Sequence, residues 1–335
     1  MSIVEQAVGE AVDPSLVDLV KAELRRLVGK EDGPLAVEAM DALFPTGKLL
    51  RPVLCLESAA AVGGDVHSMV PFAAGLQCVH VASLVHDDII DRDPVRRGKP
   101  STAEQFGINE ALLVGDGLVM IGASAMLDAR DSGMPMDRME RALRVAFDTG
   151  REMCRAAFQE AMIRGDLSCG IPAVLEVVHG KTAALFGAAC QAGAVLADAP
   201  GNQVACLREY GEQLGVAFQL RDDLLPYTSD EHTAGKTAIS DIANRQPNLP
   251  VLLAYDAAGP ADRQQLEAIF RGYTDVHTAH AQTREILVRT GAIDDVIERA
   301  RTSAERAQAA LAELPPSASR DRLTALAATA VDRDR

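Results

Sequence analysis

From Pro71 to Gly98 the chain reads PFAAGLQCVHVASLVHDDIIDRDPVRRG. Phe72, Leu76 and Val79 recur at helical spacing and lead to an acidic tip, Asp87-Asp88-Ile89-Ile90-Asp91. Asp87 and Asp91 are four apart, so they project from one helix face, one turn above the other. Such a pair can clamp a hard cation, because Mg²⁺ takes one or two carboxylates and fills its remaining positions with water and phosphate oxygens. An isolated pair of this kind is more often a solvated helix end. Here Pro94 is expected to stop the helix, and Arg96 and Arg97 follow it, where guanidinium groups can fork onto phosphate oxygens.

The pattern recurs further along. Leu207, Tyr210, Leu214 and Phe218 lead at helical spacing to Asp222-Asp223-Leu224-Leu225. Two acid-tipped helices of this kind can form facing carboxylate walls that hold Mg²⁺ around a diphosphate. Upstream, Gly47-Lys48-Leu49-Leu50-Arg51-Pro52 places two cations three apart, with Pro52 tolerable only near a helix start.

Strand signals are scarce and Ala/Leu/Val-rich helical text is common, which makes the fold class all-α: a single large helical bundle around a central apolar cavity. Helices are expected near 49–62, 69–92, 109–130, 136–165, 172–197, 203–225, 261–271, 275–291, 293–313 and 317–331. With 335 residues, 48% of them hydrophobic, and no Gly/Ser- or Pro-rich linker, residues 1–335 are expected to form one domain.

A net charge of −15 and a pI near 4.9 argue against a nucleic-acid partner. They also oppose an anionic substrate, so local cations and Mg²⁺ must overcome the field. Cys55, Cys78, Cys154, Cys169, Cys190 and Cys206 are scattered without a CxxC pair, which suits packing in a reducing, cytoplasmic compartment. Acidic residues at Glu5, Glu10 and Asp13 interrupt the N-terminus, and we read no leader and no uncharged apolar run of about 18 residues, so no transmembrane segment is expected. His277 and His280 are read as surface histidines, His86 as an orienting residue, and Asp116 of Gly115-Asp116 as a capping or orienting group.

In combination and order, these motifs closely resemble the trans-polyprenyl diphosphate synthase family, from about Lys48 to Pro250. The resemblance implies that Asp87, Asp88 and Asp91 bind Mg²⁺ on an allylic diphosphate and that Asp222 and Asp223 hold metal from the opposite wall, with three ions when diphosphate is bound. Arg96, Lys181 and Lys236 would grip the allylic diphosphate. Lys48, Arg51, His80 and Arg97 match the pocket for isopentenyl diphosphate, and Phe218 and Gln219 match residues beside the reacting carbons. A homodimer is implied as well. The catalytic set is Asp87, Asp88, Asp91, Lys181, Asp222 and Lys236.

Two departures stand out. Proline occupies position 226, where the family has a third aspartate, and it is expected to end or kink the helix at Asp222. Gln246 stands where the family tends to have lysine, with Arg245 beside it to supply the charge. The expected reaction is condensation of isopentenyl diphosphate with an allylic diphosphate. Ionisation is assisted by metal and cations, and departed pyrophosphate takes the proton. The departures motivate two alternatives, a class I terpene cyclase and a non-catalytic partner subunit. If Ala82 and Ser83 face down the tunnel, their small size predicts a product of C20 or longer, and Ala82→Phe should shorten it.

Overall fold

The computed structural model describes residues 12–228 and 240–330. Helices α1 (Pro14–Val28), α2 (Gly33–Leu43), α3 (Leu50–Ala61) and α4 (Val66–Asp91) precede a minimal antiparallel pair, β1 (Val95–Arg96) and β2 (Lys99–Pro100). Then come α5 (Thr102–Phe106), α6 (Ile108–Asp128), α7 (Met136–Met162), α8 (Gly170–Val177), a π-turn over Val178–Ala183, and α9 (Ala184–Leu196). The rest is α10 (Gly201–Asp222), α11 (Leu225–Thr228), α12 (Ser240–Ala243), α13 (Leu249–Ala257), α14 (Pro260–Phe270), α15 (Val276–Thr290), α16 (Ala292–Ala310) and α17 (Ala318–Thr329). The protein is all-α, as the periodicity predicts.

Local chemistry sets the ends of α4. The Asp65 carboxylate accepts from the His67 amide at 3.1 Å and caps the N-terminus, so the helix starts before Pro71 and carries that proline inside it. At the other end Arg92 turns left-handed (φ 54°), which stops the helix at Asp91, ahead of Pro94. Helix α6 packs along α4, and the two backbones meet at Gly75 and Gly122. A Cβ on Gly75 would lie 2.6 Å from the Gly122 carbonyl oxygen.

Two apolar cores are joined through α10. Its Leu207, Tyr210 and Leu214 belong to a core with Phe72, Leu76 and Phe186; Val216 and Leu220 belong to one with Leu249, Phe270 and Ile286. Each such fully buried side chain contributes about 1.5–3 kcal/mol relative to exposure. The C-terminal helix is tied in by Arg322, which donates Nε to the fully buried Glu57 at 2.5 Å, and by Tyr210 Oη, which donates to the Leu323 carbonyl at 2.7 Å.

Several expectations are corrected. Helices α1, α2 and α13 carry no sequence motif and were not expected; α1 is nonetheless capped by Asp13 and buries Leu16, Val20, Leu24 and Leu27 on one face. The stretch 172–197 is broken by the π-turn. The helix end expected at Asp222 is observed: α10 stops there, and Pro226, which has no N–H to give the Asp222 carbonyl, lies in the first turn of the separate α11, where that missing N–H costs little. Residues 66–86 contain no Asp, Glu, Lys or Arg, and three helices are long and apolar enough to cross a membrane: Val66–Asp91, Ile108–Asp128 and Leu167–Leu196. Their apolar windows are 72%, 44% and 61% buried within the bundle, as for helices that are apolar because they line a core.

Candidate active site

A cavity of about 1,750 Å³ opens between α4, α6, α7, the α8–α9 segment and α10. Small-molecule sites usually span about 300–1,000 Å³, so this one has room for two substrates and a long chain. Val79, Val119, Met126, Ala146, Ala157 and Leu185 give it an apolar body, and charged groups gather at its mouth.

On the first wall Asp87 and Asp91 line the cavity, one turn apart on α4. Lys181 Nζ lies 3.3 Å from Asp87 Oδ1 and 2.6 Å from Glu160 Oε2, and Arg164 donates Nη2 to Asp91 Oδ1 at 2.7 Å. Burial pushes the Asp87 carboxyl up, and Lys181 only partly offsets it. Asp88 differs from its neighbours. Its carboxylate is buried and faces Arg96, which donates Nε at 2.8 Å and Nη2 to the same oxygen, and it does not line the cavity. A direct metal bond from Asp88 is therefore not what this arrangement presents; its role is to hold Arg96, the cation that does line the cavity.

The π-turn explains Lys181. The wide turn places Lys181, Thr182, Val177 and Val178 all along the cavity, which a regular helix would rotate partly away. Thr182 Oγ1 donates to Gln219 Oε1 at 2.7 Å, and Gln219 Nε2 donates to Asp223 Oδ1 at 2.8 Å. Phe218 and Gln219 thus line the cavity beside the second wall, with Asp222 and Asp223.

The second wall carries a carboxylate that sequence reading missed, Asp241 of α12, which lines the same cavity. Asn248 Nδ2 lies 3.4 Å from its Oδ2. Burial and the neighbouring Asp241 push Asp223 up to about 8; burial and Glu160 push Asp241 up to about 6. Glu160, Arg164 and Thr182 were missed too. The first two look like an ordinary polar helix end, and only the spacing of Asp241 after Gly235-Lys236 offered any signal. Lys236 lies outside the described residues.

The expected isopentenyl-diphosphate residues also converge. Arg51 Nη1 donates to His80 Nε2 at 2.9 Å, and since arginine can only donate, His80 presents its unprotonated nitrogen. Burial, then Arg51, Arg97 and Arg96, hold that imidazole neutral, and burial pushes Arg51 down to about 9. The Arg51 guanidinium lies 4.7 Å from the Phe186 ring centre and Lys48 Nζ 5.6 Å from that of Phe218. Arg97 donates Nη1 to the Pro45 carbonyl at 2.8 Å and lies against Gly47, where a Cβ would be 3.2 Å from the guanidinium carbon.

Three further readings change. Arg245 is exposed and lies beside Gly272, off the cavity, so it does not supply the charge expected there; Gln246 lines the cavity, its Oε1 buried with no hydrogen-bond partner among the described residues. Ala82 is in the core and only Ser83 faces the cavity, because one residue along a helix rotates the side chain by about 100°. His280 is half-buried, its Nε2 2.8 Å from the Pro226 carbonyl oxygen and its ring stacked on Tyr227. Gly115 makes room for His86, whose Nε2 is 3.6 Å from Asp116 Oδ1.

Among the described residues no three His, Cys, Asp or Glu side chains form a closed metal cage. The donors are hard oxygens spread over two walls, which fits Mg²⁺ completed by water and phosphate and not a resident structural ion.

An all-helical bundle with two carboxylate walls above an apolar tunnel defines an isoprenoid-diphosphate enzyme. The chain belongs to the polyprenyl synthetase family, whose model matches residues 34–287. It is 30% identical to geranylgeranyl diphosphate synthase of Mycobacterium tuberculosis over 92% of this chain and 87% of that protein. Its fold matches the crystal structure of geranylgeranyl pyrophosphate synthetase from Pyrococcus horikoshii with a TM-score of 0.90 and 30% identity, covering 98% of this chain and 99% of that one. It also matches polyprenyl synthase from Caulobacter crescentus, complexed with calcium and isoprenyl diphosphate, with a TM-score of 0.86 and 32% identity over 94% of this chain and 96% of that one. The protein is accordingly a prenyltransferase.

Proposed function

We propose that this prenyltransferase condenses isopentenyl diphosphate with an allylic diphosphate in a Mg²⁺-dependent reaction, giving linear products of C20 or longer. The observation that carries the reading is one cavity mouth shared by two anion sites: the Asp87–Lys181 wall with Arg96, and the cluster of Lys48, Arg51, His80 and Arg97. A cyclase has no use for the second cluster.

Asp87 and Asp91 on one wall and Asp222 on the other would hold Mg²⁺, three ions being the expected number; the metal would neutralise the leaving diphosphate. Lys181 and Arg96 orient the allylic diphosphate over the tunnel. Arg51, Lys48 and Arg97 fix the second diphosphate, and His80 accepts from Arg51 and holds that guanidinium in place. The apolar walls keep water from the allylic cation. Departed pyrophosphate is the proton acceptor; neutral His80 is already engaged as a hydrogen-bond acceptor. Ser83 faces the tunnel one turn below Asp87, and Ser83→Phe should shorten the main product.

The same proposal includes a cytoplasmic homodimer, with the three long apolar helices serving as core elements. All six cysteines are free thiols, as suits a reducing compartment. Leu113, Met120 and Leu127 are more than half exposed and seven apart along α6, and Phe147, Phe158 and Met162 of α7 are similarly exposed. That apolar surface favours a second copy as its cover, which sedimentation would test.

The deciding experiment is product analysis of the purified protein with Mg²⁺ and C5, C10, C15 or C20 allylic diphosphates, with and without isopentenyl diphosphate. Longer linear diphosphates only when isopentenyl diphosphate is present support condensation. Hydrocarbon from an allylic substrate alone would mean cyclisation, and no product in any tube would favour a non-catalytic partner subunit.

A further inference from the structure

Glu160 belongs to no motif, yet it occupies the centre of the site. It projects from the last turn of α7, lines the cavity, and takes Lys181 Nζ at 2.6 Å, closer than the 3.3 Å between that ammonium and Asp87. Lys181 is thus shared between two carboxylates, and Glu160 is its nearer partner. Arg164, four residues on, holds Asp91 in the same way at 2.7 Å. The cations nearest the first wall are therefore engaged by protein carboxylates before any diphosphate arrives.

Charge balance dictates what must follow. A divalent cation at Asp87 and Asp91 repels the Lys181 ammonium, whereas a diphosphate attracts it. Diphosphate alone must draw Lys181 off Glu160 and leave that carboxylate uncompensated beside Asp87 and Asp91. When metal and diphosphate bind together, Lys181 passes to the phosphate and the metal's charge offsets the carboxylates that it leaves, Glu160 among them. Two ligands that each relieve the cost of the other are positively coupled, and the coupling is reciprocal.

We propose that Glu160 is a positioning residue that holds Lys181 beside Asp87 at rest and yields it to the diphosphate only when metal is present. It thereby makes diphosphate binding depend on the metal. The inference rests on the reading of the cavity as a metal–diphosphate site. It adds a residue that withholds the lysine, where the motifs supply only residues that bind.

The test is calorimetric titration of inorganic pyrophosphate into the full chain, wild type, Glu160→Gln and Glu160→Asp, with EDTA and across a Mg²⁺ series. Glu160→Gln should bind metal-free pyrophosphate roughly tenfold more tightly than wild type, the size expected for losing a competing charged hydrogen bond. It should also need several-fold more Mg²⁺ for half-saturation, so that the gain in affinity from metal shrinks; Glu160→Asp should behave as wild type. In a Lys181→Met background the effect of Glu160→Gln on metal-free binding should vanish.

Unchanged affinities in Glu160→Gln would overturn the proposal. So would weaker pyrophosphate binding both with and without Mg²⁺, which would make Glu160 a mere support for Lys181. If wild type itself gains no pyrophosphate affinity from Mg²⁺, the reading of the whole site fails, an outcome distinct from either of these. Circular dichroism melts of each variant separate misfolding from lost coupling.

Discussion

The two aspartate walls face one cavity but are built on opposite electrostatic plans. On the first, each carboxylate meets a cation: Lys181 at Asp87, Arg96 at Asp88, Arg164 at Asp91. On the second, Asp223 is held by the neutral amide of Gln219 and Asp241 has the Asn248 amide, so burial and mutual repulsion act with less opposition. The carboxylates of the first wall arrive paired with cations. The second keeps part of its charge suppressed until a cation comes, as expected where desolvation exceeds local compensation.

The largest effect should come from the first wall. Asp87→Ala should lower kcat by roughly a hundred- to a thousandfold, the loss typical of removing an electrostatic stabiliser of the leaving group. Steady-state condensation assays check it, and a loss below tenfold would move the primary metal site to the second wall.

Within the second wall the two aspartates should separate. Asp222→Asn should cost roughly a hundredfold in kcat, but Asp223→Asn less than about tenfold, since an amide can replace a largely protonated carboxyl bonded to Gln219. Equal losses would show that both act as charged ligands.

Stability against pH gives a third comparison. Asp223 and Asp241 titrate at about 8 and about 6 in the folded protein, against an ordinary 3.8 in the unfolded chain. Their folded pKa values are raised, so between these limits the native state binds more protons. Their contribution is full below about pH 4 and is lost as pH rises to about 8. Metal-free wild type should therefore lose several degrees of Tm between pH 5 and pH 8 relative to Asp223→Asn. Mg²⁺ with pyrophosphate should remove the difference. Scanning calorimetry of the pair checks it, and parallel curves would mean that Asp223 is already ionised.

The smallest effect is expected at the missing family carboxylate. Pro226 is off the cavity wall and its carbonyl oxygen is engaged by His280, so Pro226→Asp should leave kcat and the Mg²⁺ requirement within about twofold. A large drop in the Mg²⁺ requirement would show that position 226 reaches the metal after all.

The contrast also explains what was legible in the chain. Periodicity followed by Asp87 and Asp91, and by Asp222 and Asp223, announces both walls because helical spacing maps directly onto a shared face. Lys48, Arg51, His80 and Arg97 could be assigned through the order of their motifs, and all of them line the cavity. Asp88 and Ala82 were misplaced because adjacent helical residues point about 100° apart, and periodicity without a partner helix cannot tell which neighbour faces inward. Glu160 and Arg164 left no usable mark, since a lone charged residue looks the same at a surface as at a site.

The sequence alone determined an all-helical chain, two acidic tips and the cationic segments that accompany them, because these are local properties: spacing along a helix, capping and charge. Only the tertiary structure decided that α7 and the π-turn bring Glu160 and Lys181 to Asp87. It also decided that α12 brings Asp241 to the second wall, and that Asp88 turns to Arg96 while Asp87 faces the cavity. These are contacts between residues distant in the chain. They depend on which helix faces pack together, which no single segment encodes by itself.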